Sequence, residues 1–183
     1  MINILLSGDS VWLSEVCYDD VLLQKYVIWM NDKKVRKTLP NPSRFTTEAM
    51  AKDYFSHSTD SKFTIVDQKT ADVIGFCELK EIDSNVPGFN IQVVIGERAF
   101  MKEDVYTDVV NTLCRHLFKV CNTGHIQMKV NGCDSIANEA CERLGFIHIG
   151  TVQRAVYWGG RYYSVDFYDL MHYCYSFANS KGV

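Results

Sequence analysis

Between residues 89 and 131 the hydrophobic period of the chain changes twice, and this limits the fold more than any other feature of the sequence. Residues 89–96 form a short apolar run of strand length. From about Asp104 to Cys121 the apolar residues Val105, Val109, Val110, Leu113, Leu117 and Val120 recur at three- and four-residue steps, the signature of one helix face. Residues 125–131, with Ile126, Met128 and Val130, return to strand periodicity. A strand, a helix and a second strand in this order form a β-α-β crossover. Its two strands must lie parallel and its connection must be right-handed.

Other elements are expected around this unit. Two strands open the chain near residues 2–6 and 10–16, and Asp19 and Asp20 start a helix through Leu22, Leu23, Tyr26, Trp29 and Met30. A Pro-rich break at residues 39–43 interrupts the helical region, which restarts at Thr46, Thr47 and Glu48 with Met50, Tyr54 and Phe55 as its apolar stripe. Strands follow at about 62–67 and 72–80. In the second, alternation puts Val73, Gly75, Cys77 and Leu79 on one face and Ile74, Phe76, Glu78 and Lys80 on the other. After the crossover a short helix opens at Asp134 and Ser135 and ends at Leu144, Gly145 and Phe146, with Ile136, Ala137, Ala140, Cys141 and Leu144 on one side. A long aromatic hairpin then turns at Gly159 and Gly160. With no internal repeat or linker, residues 1–183 read as a single domain whose residues 179–183 are loose.

Composition excludes several function classes. A net charge of -3 gives no basic footprint for nucleic acid. No apolar run reaches the roughly 18 residues of a membrane helix, and the first residues lack the basic start of a signal peptide. The seven cysteines, Cys17, Cys77, Cys114, Cys121, Cys133, Cys141 and Cys174, include no C-x-x-C pair. They read as reduced thiols in a cytoplasmic protein, and the scattered histidines give no metal-ligand spacing.

Several short phrases point further. Trp29, Asn31, Asp32 and Val35 form W-x-N-D-x-x-V; Ile95, Gly96 and Glu97 leave the fourth strand of the expected core; Glu142 to Phe146 reads E-R-L-G-F; and Gly160, Arg161, Tyr162 and Tyr163 begin the last strand. Their order resembles the GNAT N-acetyltransferases, and within them the RimJ/RimL-like branch. The resemblance implies a mixed α+β fold: a central, mostly antiparallel twisted sheet with one parallel, splayed strand pair, flanked by helices. It also implies transfer of an acetyl group from acetyl-CoA to a primary amine, such as a protein N-terminus, an amino sugar or another small amine. A GNAT-like binding or assembly module without catalysis is the alternative.

By that resemblance, the backbone of Val93, Val94 and Ile95 pairs with the pantetheine arm of acetyl-CoA. The pyrophosphate lies at the N-terminus of the next helix, at Lys102, Glu103, Asp104, Val105, Tyr106 and Thr107. The family loop Q/R-x-x-G-x-G/A is replaced here, Met101, Asp104 and Tyr106 standing at its three signature positions. Lys102, Glu103 and Asp104 equally read as a solvated, acid-capped helix start. Asp134 and Ala137 occupy a family Asn and small residue near the thioester, although Asp134 also reads as a helix N-cap. Cys141 stands where many members carry a proton-donating Tyr; its other reading is a buried structural thiol. Glu78 is the carboxylate placed to relay a proton from an ammonium, or else a strand residue paired with Lys80. Trp29, Asn31, Tyr157, Arg161 and Tyr163 are the acceptor-pocket candidates, with a core position as the alternative for Trp29. The aromatic residues from Tyr162 to Phe177 suggest a homodimer contact.

Overall fold

The structure, a computed structural model, describes residues 3–16, 19–42, 45–56, 61–82 and 85–175. The expected loose stretch 179–183, together with Cys17 and Phe177, lies outside them. Strands β1 (Ile4–Ser7) and β2 (Val11–Glu15) precede helices α1 (Asp20–Asn31), α2 (Lys33–Thr38) and α3 (Glu48–Ser56). Next come β3 (Ser61–Asp67), β4 (Val73–Glu81), β5 (Gly88–Ile95), α4 (Glu103–Lys119), β6 (His125–Asn131), α5 (Ser135–Arg143), β7 (Ile147–Trp158) and β8 (Arg161–Met171). The strands form one eight-stranded sheet in the order β1-β2-β3-β4-β5-β6-β8-β7. The crossover pair β5 and β6 is parallel, and the other described neighbours are antiparallel. This is the mixed α+β architecture that the resemblance implied, with the parallel pair that the β-α-β signal required.

Alternation along the central strands feeds two cores, one on each face. Val93 and Ile95 join Val109, Leu113, Leu117, Ala137, Ala140 and Cys141 beneath α4 and α5. Val94 and Phe76 join Leu22, Leu23, Tyr26, Trp29 and Phe55 beneath α1 and α3. Leu113 and Ile126 are fully buried, each contributing about 1.5–3 kcal/mol relative to exposure.

Two local readings need correction. The expected alternation in β4 breaks at its start, because Ile65 pairs with Gly75 but Val66 pairs with Val73. This β-bulge turns Ile74 into the α4 core and Val73 towards the α1 core, the reverse of strict alternation. The helical region before the Pro-rich break is also two helices. Asp32, with extended backbone, ends α1 and caps α2, its carboxylate accepting from the Lys34 and Val35 N–H groups at 2.7 and 3.4 Å. At the hairpin, Gly159 and Gly160 take φ values of 58° and 81°, the left-handed pair that a two-residue turn between twisted strands requires.

One carboxylate ties the first hairpin to the crossover helix. Asp108 on α4 accepts from the N–H groups of Asp9, Ser10 and Val11 at 2.9, 2.7 and 3.2 Å, and from the Ser10 hydroxyl at 2.8 Å. Replacing Asp108 with Ala strands these donors. Stability is expected to fall by about 1.5–3 kcal/mol, read as a lower urea midpoint at an unchanged m-value.

Candidate active site

The parallel ladder of β5 and β6 runs from Gly88–His125 through Ile91–Met128 and stops there. Both strands continue, β5 to Ile95 and β6 to Asn131, so residues 92–95 and 129–131 run on without pairing to each other. The gap between them is lined by Ile91, Val93, Met128, Val130, Tyr106, Asp134 and Ala137, with residues 38–40 at the end of α2 on its edge. The cleft is narrow, about 20 Å³. Its α2 edge is fixed by Asn131, fully buried, whose side-chain amide donates to the Leu39 carbonyl at 3.0 Å.

At one end of the cleft lies the first turn of α4. Lys102 is its N-cap and makes no side-chain capping bond, and the first intrahelical bond runs from the Tyr106 N–H to the Lys102 carbonyl. The turn's leading N–H groups therefore face outward with the positive end of the helix dipole. Glu103 and Asp104 are held aside by Arg143 at the end of α5, which reaches their carboxylates at 3.1 and 3.0 Å. These exposed pairs blunt the negative charge at the helix start. The side chain of Val105 packs at the margin of the α4 core, and the Thr107 hydroxyl is buried without a hydrogen-bond partner among the described residues.

On the other face of the sheet is a larger cavity of about 720 Å³. The register explains its polar floor. Lys62 pairs with Glu78 and Glu78 with Gln92, while on the far side of the gap Lys129 pairs with Phe167, and these side chains share one face. A second row, Lys80–Asn90–Gln127, lies beside it. Val152, Ala155, Val165 and Phe167 of the last hairpin make an apolar wall. Cleft and cavity share Pro40, Ile91, Gln92 and Lys129, and so meet where the two strands part.

The expected site residues divide accordingly. Glu78 lines the cavity, with Lys62 3.7 Å away, the Lys62 ammonium in turn lying 4.4 Å over the Tyr54 ring. Burial first, and Glu78 next, push the phenols of Tyr26 and Tyr54 well above their ordinary range. Asp134 and Ala137 line the cleft. The Asp134 carboxylate also caps α5, accepting from the Ala137 N–H at 3.3 Å, and burial raises its pKa to about 6. Cys141 is buried with its Sγ 3.8 Å from Met128 Sδ, and burial, with Asp134 and Glu142 nearby, pushes its thiol to about 12. Tyr106, also buried, has its phenol raised well above the usual value by burial and then by Asp134.

The acceptor candidates fall elsewhere. Trp29 packs in the α1 core against Gly96, where a Cβ would collide with the indole, and its Nε1 donates to Glu97 at 3.2 Å. Asn31 fastens the chain before α3 to α1, donating to the Val27 and Thr46 carbonyls and accepting from the Thr46 N–H. Tyr157 is 63% exposed and lies against Tyr162 with ring centroids 4.9 Å apart. Arg161 and Tyr163 pair with Trp158 and Val156 near the hairpin tip, beyond the cavity. The hairpin does wall the cavity, but with residues nearer its base. A register shift between Val152 and Val156, with Arg154 at φ 55°, separates base from tip. The tip reaches α2 instead, where Arg36 lies 4.6 Å over the Trp158 ring.

Gln92, Lys129, Asn131 and Arg143 were not singled out in the sequence. Gln92 and Lys129 carried only the weak signal of polar residues alternating with apolar ones along the crossover strands, a pattern they share with Asn90 and Gln127. Asn131 and Arg143 carried none, because their partners lie 92 and about 40 residues away along the chain. Among the described residues no group of His, Cys, Asp and Glu is arranged to hold a metal ion, and no helix is long and apolar enough to cross a membrane.

Comparison with known proteins fits this geometry. A structure of spermidine N-acetyltransferase from Vibrio cholerae, in complex with CoA and spermine, superposes with a TM-score of 0.77 at 16% identity, covering 92% of this chain and 99% of the other. A GNAT-family acetyltransferase from Bacillus anthracis gives 0.76 at 11% identity over 94% and 99% of the two chains. RimL, the ribosomal L7/L12 alpha-N-protein acetyltransferase, gives 0.74 at 15% identity over 93% and 95%. Comparison with curated protein sequences finds no match. The sequence model of the acetyltransferase (GNAT) domain matches residues 11–147, most of the chain. With its splayed parallel pair set in a mostly antiparallel sheet, this chain belongs to the GNAT acetyltransferase family, a family of acyltransferases.

Proposed function

We propose that the protein transfers the acetyl group of acetyl-CoA to a primary amine, by direct attack of the neutral amine on the thioester. The observation that carries this reading is the meeting of cleft and cavity at Pro40, Ile91, Gln92 and Lys129. Donor and acceptor approaching from opposite faces of the sheet would meet there, and positioning of this kind supplies much of the rate of an amine–thioester reaction. The donor brings the activated acyl group. The unpaired edge of residues 92–95 is suited to its pantetheine arm, and the leading N–H groups of α4 to its diphosphate. Arg143, paired with Glu103 and Asp104 at the same helix start, offsets part of the negative charge that would oppose it.

Glu78 is the proposed proton acceptor. It lies one strand from Gln92 on the cavity floor, where it takes the proton of the incoming ammonium directly or through water. Cys141 is a poor proton donor at a pKa of about 12, so the departing thiolate takes its proton from solvent. Protein N-termini, amino sugars and other small amines are all candidate acceptors. Glu78 and Glu81 in the cavity are balanced by Lys80 and Lys129, a weaker attraction for polycations than an acidic pocket would give. The described cysteines are free thiols, consistent with a reducing compartment such as the cytoplasm. Exposed Tyr157, Tyr162 and Tyr173 support a homodimer, for which a purely monomeric sedimentation mass at micromolar concentration is the contrary result. The rival reading, a binding or assembly module without catalysis, rests on the narrowness of the cleft. Calorimetry with acetyl-CoA separates the two, since heat of binding favours the transferase and none at millimolar donor favours the module.

Two further outcomes are expected. Glu78→Gln lowers kcat/KM for the acceptor by about 10²-fold or more with donor affinity retained; unchanged turnover removes Glu78 from the reaction. Asp134 should make donor binding pH-dependent. A carboxyl titrating near 6 is charged above that pH and neutral below it, and the donor is an anion. Donor affinity should therefore rise as pH falls from 7.5 to 5, on the order of severalfold, and Asp134→Asn should flatten the profile at its high-affinity level, as titration calorimetry would show.

A further inference from the structure

The cleft is open in its backbone and filled by side chains. Beyond Ile91 and Met128 the two strands no longer pair, yet the space between them is about 20 Å³, room for about one water molecule and too little for a pantetheine arm. Tyr106 is the largest side chain lining it and is 7% exposed, packed in the same buried cluster as Val93, Met128, Val130 and Ala137. It enters from the first turn of α4, the end at which the donor's phosphates would sit. We infer that Tyr106 governs donor entry, its ring having to leave the cleft before a pantetheine arm can lie along residues 92–95. This rests on the acetyl-CoA reading above.

The movement required is small and defined. The turn that carries Tyr106 is held against α5 by the two Arg143 ion pairs, so the helix start stays in place while the side chain turns. On a helix only two χ1 wells are readily available to an aromatic residue, so the outward position that the gate requires is the second of them. Moving a buried aromatic ring into water is unfavourable enough to keep the outward position at about one part in ten to one in a hundred. Apparent donor affinity falls by the same factor, because only the outward state binds. The opposing acidic groups, Glu103 and Asp104, do not account for the narrowness, since Arg143 draws both away.

Titration calorimetry with CoA and acetyl-CoA on the full chain and its Tyr106→Ala, Tyr106→Leu and Tyr106→Phe variants tests the inference. Removal of the ring in Y106A is expected to tighten binding at least tenfold, Y106L to fall between, and Y106F, which keeps the ring, to stay within about threefold of the parent. Should Y106A fail to give a folded circular-dichroism spectrum, the Y106L comparison decides. Equal or weaker binding by the ring-free variants, while the parent binds, overturns the gate and leaves the acetyl-CoA reading standing. If neither the parent nor any variant binds at millimolar concentration, the acetyl-CoA reading itself falls and the gate with it.

Discussion

The parting of two parallel strands is the constraint from which the rest of this structure follows. Parallel strands need a long connection, and α4 provides it; once the ladder ends at Ile91 and Met128, the polar groups of the freed backbone edges need other partners. The protein closes that gap with side chains on one face and keeps a cavity open on the other. Val93, Tyr106, Met128 and Val130 fill the α4 side, while Gln92 and Lys129 face the larger space bounded by the last hairpin. A site between the two faces is thus a consequence of topology before any catalytic group is considered.

The surrounding elements serve to hold this opening at a fixed width. Asp32 ends α1, caps α2 and pairs with Arg98, joining the helical layer to the exit of β5. The Arg98 hydrogen bond and the Lys34 and Val35 N–H groups outweigh the desolvation that would raise the Asp32 pKa, and hold it below the usual carboxylate range. Trp29 presses on Gly96 at the same exit, and Asn131 grips Leu39 from the far strand. Each contact links β5 or β6, or the exit of β5, to the α1–α2 segment that borders the cleft and the cavity. Of the residues most suggestive of substrate contact in the sequence, Trp29 takes part in this bracing and Asn31 ties α1 to the chain before α3.

The expectations held where periodicity was local. The crossover, the strands 125–131 and 89–96, and the helix from Asp104 emerge within one or two residues of their positions, because burial of one face imposes its period on ten or more consecutive residues. They failed where a single residue changed the pattern. The extra residue at the start of β4 exchanges the faces of Val73 and Ile74, and the lone Gly75 beside it is the one feature of that sequence that hints at a bulge. The kink at Asp32 was visible in principle, since an Asp two residues before the Lys34 N–H is a common cap, and the apolar stripe ended at Met30, but the Pro-rich stretch at 39–43 was the stronger break. The hairpin residues that line the cavity are Val152, Ala155 and Phe167 rather than Tyr157 and Tyr163, because the bends between Val152 and Val156 lie in the pairing register rather than in composition.

By itself the sequence determined the order and type of the elements, the parallel pair, the two apolar faces of the central strands and the loss of the family's glycine loop. Those are properties of neighbours along the chain, where side-chain volume, backbone freedom and hydrophobic period act over a few residues. Tertiary structure alone decided that Arg143 draws Glu103 and Asp104 from the helix start, that burial lifts Asp134 to about 6, and that Tyr106 lies inside the cleft. Charge pairing and desolvation depend on distances between residues remote in sequence, and those distances exist only once the sheet and helices have packed.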